Sequence, residues 1–261
     1  MLIKDDLNNT INLKSVPKRI VSLCPSITET LFYFGLKNNI VAVTDYCIHP
    51  KKFTDEKIKI GGPISISIKK IISLEPDLII ASKEENKKSD IKNLSKHFDC
   101  FIFSVNSFSS ALKMIEKIGV IFNKKDYAKK LIYNINNNFS KINLLKTKEK
   151  YLYLVWKSPY MAAGIGNYIN SLLCKINLSN GINTCGYPKI DTEIIAQDCK
   201  IIFLPSEPFH FNKSDQKELS KKYPDKIILL VDGEMFCWYG ARMLKSAKYL
   251  NGILNKIKKA L

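Results

Sequence analysis

The sequence predicts an α/β protein built as two Rossmann-like lobes with parallel sheets, joined by one long backbone helix, with a ligand cleft between the lobes. Three observations predict it. Short β-like runs alternate with helical stretches in both halves of the 261 residues, the rhythm of a parallel sheet covered by helices on both faces. The middle of the chain breaks that rhythm with an amphipathic stretch, Lys124 to about Leu145, that contains neither proline nor glycine. The two halves also repeat: IKKIISLEPDLIIASKEE (68–85) aligns without a gap to DTEIIAQDCKIIFLPSEP (191–208).

In chain order, RIVSL (19–23) reads as a strand and PSITETLFYFGL (25–36) as a helix, with Ser26 and Glu29 in capping-box spacing and Gly35 as its stop. NIVAVT (39–44) is a second strand. Ser67 to Leu74 is helical, Leu78 to Ala81 a strand, Glu84 to His97 helical and CFIFS (100–104) a strand. Ser107 to Phe122 and then Lys124 to about Leu145 are helices, the second with Tyr127, Leu131, Ile135, Phe139 and Ile142 spaced by three or four. That second helix would span about 33 Å at 1.5 Å per residue, suiting a strut. YLYLVW (151–156) restarts the strands. Asn167 to Lys175 and Asp191 to Ala196 are helical, KIIFL (200–204) is a strand, Ser214 to Lys222 a helix, Ile227 to Val231 a strand, and Lys245 to Lys259 a closing helix. The organisation is an N-terminal lobe (1–122), a linking helix (123–147) and a C-terminal lobe (148–261).

Composition narrows the function. The formal net charge is +17, but only Arg19 and Arg242 are arginines among 41 basic residues. Nucleic-acid interfaces favour arginine for bidentate contacts, so a solvated lysine surface is the better reading than nucleic acid. Against that background a retained arginine is informative. The seven cysteines are odd in number and form no CxxC pair, which argues against a disulfide framework or a structural zinc site and favours a reducing compartment. No window reaches the roughly 18 apolar residues of a membrane helix. The polar start MLIKDDLNNTINLK has no secretory signal, so the chain as written reads as cytoplasmic, and as periplasmic or cell-surface if a leader was removed.

Four loops should lie at the C-terminal ends of strands, where open α/β sheets bind ligands. They hold Cys24, Pro25 and Ser26; Tyr46 and His49; Trp156, Tyr160 and Met161; and Glu234, Phe236, Trp238, Tyr239 and Arg242. Both tryptophans of the chain fall here. Amphipathic aromatics with a few polar groups suit a broad, partly apolar ligand with a charged rim. Glu234 and Arg242 give polar anchors or brace their loop. Glu84, Glu85 and Glu207 sit at equivalent places in the two halves, so a matched pair of acids could dock onto a partner's cations. Cys47 and His49 alone make a weak metal motif, and the Gly164-Ile165-Gly166 stretch lacks the third glycine of a dinucleotide loop. No nucleophile elbow, phosphate loop or HExxH is present, so the chain reads as a binder and not an enzyme.

DDLNNTINLKSVPKRIVSLCPSITETLFYFGL, LEPDLIIASKEEN and VDGEMFCWYGARML together resemble the helical-backbone (class III) substrate-binding proteins of ABC importers, a group that binds vitamin B12, iron siderophores and haem. The similarity runs essentially end to end and is greatest to the cobalamin-binding branch. Asn8-Asn9-Thr10 stands where the family has GRT, and His49 where the B12 binder has an aromatic. The resemblance implies a monomer with no intrinsic cofactor. It would capture a cobalamin-like corrinoid or another metal chelate between its lobes, for an ABC permease or as an intracellular binder. A direct metal-ion receptor or a nucleotide-dependent enzyme is the alternative. The strut should keep closure small and the site largely preformed.

Overall fold

The computed structural model describes residues 1–191 and 198–261, which form two compact units, each an α/β body, the first with a parallel sheet and the second with a parallel sheet that carries one antiparallel edge strand. The first comprises Met1–Val105, Ser109–Asn134 and Tyr239–Arg242; the second comprises Asn106–Phe108, Ile135–Trp238 and Met243–Leu261. No described helix is long and apolar enough to cross a membrane.

The first unit opens with an antiparallel hairpin, β1 (Leu2–Lys4) and β2 (Thr10–Asn12). Asp5 organises its turn by accepting the Leu7 and Asn9 backbone N–H groups at 2.9 and 2.8 Å. Asn8 takes the left-handed conformation there (φ 65°), which asparagine tolerates better than most residues. Then follow β3 (Ile20–Ser22), α1 (Pro25–Tyr33), β4 (Ile40–Val43), α2 (Lys51–Thr54), β5 (Ile58–Lys59) and a small hairpin of β6 (Gly61–Gly62) and β7 (Ser65–Ile66). After these come α3 (Ile68–Ser73), β8 (Leu78–Ser82), α4 (Lys88–Leu94) and β9 (Cys100–Phe103). The parallel sheet has the order β5-β4-β3-β8-β9. Strand β8 is buried along its whole length, as expected of a strand covered on both faces. Val21, Leu23, Ala42, Ile79 and Ala81 pack with Ile91 and Leu94 of α4. Helix α4 is shorter than its apolar pattern suggests, because Asn86 is spent on holding the preceding loop. Its amide donates to the carbonyls of Leu23 and Pro63 and its carbonyl accepts the Ser82 N–H.

Helices α5 (Phe108–Ile121) and α6 (Lys125–Ser140) follow, and the boundary between the units falls within α6, after Asn134. Helix α6 has 16 residues and ends at Ser140, not near Leu145 as its spacing predicts. Beyond it the Asn143 N–H is taken by the Asn251 side chain, while Ile142 and Leu145 are buried outside any helix. Their spacing imitates a helix although their burial comes from tertiary packing.

The second unit contains β10 (Lys150–Trp156), β11 (Met161–Ala162), α7 (Tyr168–Lys175), β12 (Ser179–Asn180), β13 (Ile201–Pro205), α8 (Lys213–Lys222), β14 (Ile227–Val231), α9 (Glu234–Cys237) and α10 (Met243–Ala260). The order is β11-β10-β13-β14, with β12 also pairing with β10. A full capping box between Asn212 and Asp215 starts α8. The helix expected over 191–196 lies outside the described residues except for Asp191. Gly164 is a packing glycine: a Cβ there would sit 1.9 Å from the Thr184 carbonyl oxygen.

The C-terminal segment Tyr239–Arg242 belongs to the first unit, where it packs on α1. Helix α1 begins at Pro25 after the extended Cys24, and eight of its nine residues are buried. Ser26 and Glu29, read from sequence as a capping box, do something else. Ser26 Oγ accepts the Tyr239 N–H, Thr30 Oγ1 accepts the Ala241 N–H at 3.0 Å, and Glu29 Oε2 accepts Arg242 Nε at 2.8 Å. Positions i, i+3 and i+4 share one helix face, so three polar side chains grip one strap. Gly240 permits the approach: it has φ 75°, and a Cβ there would sit 2.0 Å from Thr30 Oγ1.

Arg242 and Glu29 are 3% and 8% exposed. Removing one member of a buried ion pair leaves a charge without compensation, at a cost of about 3–5 kcal/mol. Arg242→Met or Glu29→Met alone is expected to destabilise the protein by roughly this amount, and the double substitution to recover most of it. Urea unfolding of the four proteins measures the coupling, and additive losses would refute the pairing.

Candidate ligand-binding site

In each unit the connections from neighbouring central strands depart in opposite directions, creating a switch point at the C-terminal strand ends. In the first unit this lies between β3 and β8, and in the second between β10 and β13.

At the first switch point Cys24 leaves β3 and Glu85 follows β8. The Cys24 thiol donates to Glu85 Oε1 at 3.0 Å, and the Tyr239 hydroxyl lies 3.3 Å from that thiol and donates to the same oxygen at 3.4 Å. Burial, then the Glu85 charge, raises the Cys24 pKa well above that of an ordinary thiol, so Cys24 acts as a hydrogen-bond donor. Burial also raises the Tyr239 pKa. Glu84 is exposed, and its carboxylate accepts from the Ser82 and Ser104 hydroxyls and the Val105 N–H.

Beside this cluster, the loop after β4 presents Tyr46, 64% exposed, with its ring over Gly62 of the β6–β7 hairpin. Ile48 and Ile64 nearby in the chain are also exposed. His49 is half-buried. Cys47 does not share its direction: it is buried, with its thiol 3.2 and 3.1 Å from the Thr28 and Thr44 hydroxyls. Among the described residues no group of three or more His, Cys, Asp or Glu side chains could hold a metal ion.

The second unit repeats the thiol–carboxylate arrangement. Cys237 donates to Glu207 Oε1 at 2.9 Å, and the Trp238 side chain is hydrogen-bonded to the same carboxylate. Glu84 aligns with Glu207 in the sequence repeat, yet Glu85 is the acid that matches it in bonding. Two consecutive residues thus serve different units, Trp238 on Glu207 and Tyr239 on Glu85. Phe236 is fully buried against Tyr153, Phe203 and Tyr249.

Trp156, at the end of β10, is 45% exposed. Its ring meets Phe209 edge-on with centroids 5.5 Å apart, and Met161 is its cross-strand partner. Tyr160 packs partly on the core below. Lys157 is paired with Asp215 at 2.6 Å and Glu218 at 2.9 Å.

Of the side chains expected to line a ligand, Tyr46 and Trp156 are exposed, and His49, Tyr160, Met161 and Glu234 are half-buried. Cys24, Pro25, Ser26, Phe236, Trp238, Tyr239 and Arg242 are buried. Phe209, Ile48, Ile64 and the bracing role of Glu29 were missed. The Gly61-Gly62-Pro63 turn was the available signal for the hairpin under Tyr46. The strand-end loops hold Asp45, Glu84, Glu85, Glu207, Asp232 and Glu234 against Lys83, Lys87, the paired Lys157 and Arg242, and Lys59 at the end of β5, whose ammonium donates to the Thr44 and Cys47 carbonyls; the balance is slightly acidic in a strongly basic chain. Of two cavities, one lies on α10 and the other beside β9, where it borders the loop after β8 through Ser82, Lys83 and Asn86.

The family model described as "Periplasmic binding protein" matches residues 20–222. The uncharacterized ABC transporter substrate-binding lipoprotein YvrC of Bacillus subtilis is 30% identical over 208 residues, covering 75% of this chain and 65% of that protein, just under two thirds of its length. The vitamin B12-binding protein of Vibrio cholerae is 22% identical over 223 residues, 80% of this chain and 79% of that protein. The solved periplasmic heme-binding protein RhuT from Roseiflexus has a TM-score of 0.79 at 15% identity, covering 92% of this chain and 98% of that one.

Burial raises the Glu207 pKa above its ordinary 4.5. The native chain therefore binds more protons than the unfolded chain from about pH 4.5 up to the raised value, and stability falls as pH climbs through that window. Glu207→Gln keeps an acceptor for Cys237 and Trp238 and removes the titration. The melting-temperature difference between variant and parent is expected to shift in the variant's favour from pH 4 to pH 7; parallel curves would contradict it.

Proposed function

Since the chain belongs to the periplasmic binding protein family, we propose that it is a solute-binding protein that captures a cobalamin-like corrinoid or a related metal chelate for an ABC importer. The observation that carries the reading is the pair of exposed aromatic faces, Tyr46 and Trp156, each at the C-terminal edge of a parallel sheet beside a switch point. Flat, partly apolar surfaces of this kind suit a macrocycle. The names of the Vibrio B12-binding and Roseiflexus heme-binding proteins support the tetrapyrrole class.

The slightly acidic strand-end loops favour a chelate with amide groups at its edge over one bearing several carboxylates, because like charges at a binding surface select against the wrong partner. That places a corrinoid ahead of haem and ahead of polyanionic ferric siderophores. In this reading the ligand-facing side chains are Tyr46 and His49 of the first unit and Trp156, Tyr160 and Met161 of the second. Trp238, Tyr239 and Arg242 act one step behind, by shaping the strap.

Glu84 is the acid that would meet a permease in this reading: the residue is exposed, and its carboxylate has acceptor capacity beyond its three bonds. Glu85 and Glu207 each accept hydrogen bonds within their own unit. The lipoprotein and periplasmic descriptions of the relatives support a place outside the cytoplasmic membrane.

Titration with cyanocobalamin, haem and a ferric tris-catecholate, followed by tryptophan fluorescence and thermal shift, tests the reading. Cyanocobalamin is expected to bind tightest, and Trp156→Ala to weaken it about ten- to thirtyfold, the range of a central aromatic contact. No thermal shift with any of the three would end the chelate reading.

A further inference from the structure

A cavity of about 690 Å³ lies in the first unit between the N-terminal hairpin, α4 and the edge strand β9. Neither Tyr46 nor Trp156 lines it. Its volume falls within the roughly 300–1,000 Å³ range of small-molecule sites. Apolar side chains make its floor: Leu7, left 40% exposed, with Ile91, Phe98 and Ile102. The floor is also electrically neutral, since burial and the nearby Asp99 charge push the Cys100 thiol up to about 12.

The rim is cationic. Lys88 and Lys92 stand one turn apart on α4, and Lys83 reaches the cavity from the loop after β8. None of these three ammonium groups has an ion-pair partner among the described residues, whereas Lys37, Lys117, Lys150 and Lys157 do. Asp99 is the sole acid on the lining. An apolar floor ringed by uncompensated cations on two elements matches a ligand with an apolar body and one anionic head.

We propose that this cavity is a second binding site, distinct from the Tyr46 and Trp156 faces although it shares Ser82, Lys83 and Asn86 with the loop after β8, for a small amphipathic monoanion such as an aliphatic carboxylate. The apolar body lies on Leu7, Phe98 and Ile102, and the headgroup meets the lysines. Exposed charge pairs weaken with salt, so the affinity is salt-dependent.

The test uses the full chain and three probes of equal chain length: decanoate, decanol and decyltrimethylammonium. Each competes against a fluorescent fatty acid, with and without saturating cyanocobalamin. Decanoate is expected to bind at least tenfold tighter than decanol, to weaken in high salt, to be indifferent to cyanocobalamin, and to lose about tenfold in Lys88→Glu/Lys92→Glu. Hydrogen exchange on the unsubstituted protein should show decanoate protecting residues 7–11 and 88–95. Equal binding of decanol, protection confined to the loops around Tyr46 or Trp156, or no binding would each overturn the site. An unchanged affinity in a folded double variant would do the same. Loss of cyanocobalamin binding alone would strike the corrinoid reading and leave this one standing.

Discussion

The buried contact between α1 and the strap Tyr239–Arg242 is the constraint on which the rest depends. One helix face supplies Ser26, Glu29 and Thr30; the strap answers with two backbone N–H groups and a guanidinium. Because α1 starts directly after Cys24, the same face that holds the strap also fixes the loop leaving β3. The Tyr239 hydroxyl then reaches the Cys24–Glu85 pair. Backbone from the C-terminal region thus becomes part of the first unit's core.

This arrangement separates two roles that the strand-end loops seemed to share. Side chains that brace are bonded: buried Cys24 and Tyr239 on Glu85, half-buried Cys237 and buried Trp238 on Glu207. The rings that stand at the loop surface are those of Tyr46 and Trp156, the side chains proposed to meet a ligand. A buried phenol or thiol gains from a hydrogen-bond acceptor, and at these two places one half-buried carboxylate per unit supplies it. These acids therefore contribute to shape, while Glu84 keeps an exposed face.

Much of the fold was legible along the chain. Runs such as Ile227–Val231 and Leu78–Ser82 are apolar without alternation, and strands buried on both faces have to read that way. The repeat located corresponding loops in the two halves. The errors share one cause. Ile142 and Leu145 carry helical spacing but are buried beyond the end of α6, and Ser26 and Glu29 carry capping-box spacing but bond a strap more than 200 residues away. Local patterns report local partners, and these residues find theirs at long range.

The sequence by itself determined the α/β rhythm, the doubled arrangement of sheets, and the loops that leave the C-terminal ends of the strands. It also marked Arg242 as a residue with a purpose. Only the tertiary structure decided what that purpose is, a buried pairing with Glu29. Only it separated two tryptophans in similar aromatic loops, leaving Trp156 open against Phe209 and turning Trp238 inward onto Glu207. Periodicity is written into neighbouring residues, but burial and pairing are set by what the completed chain brings alongside.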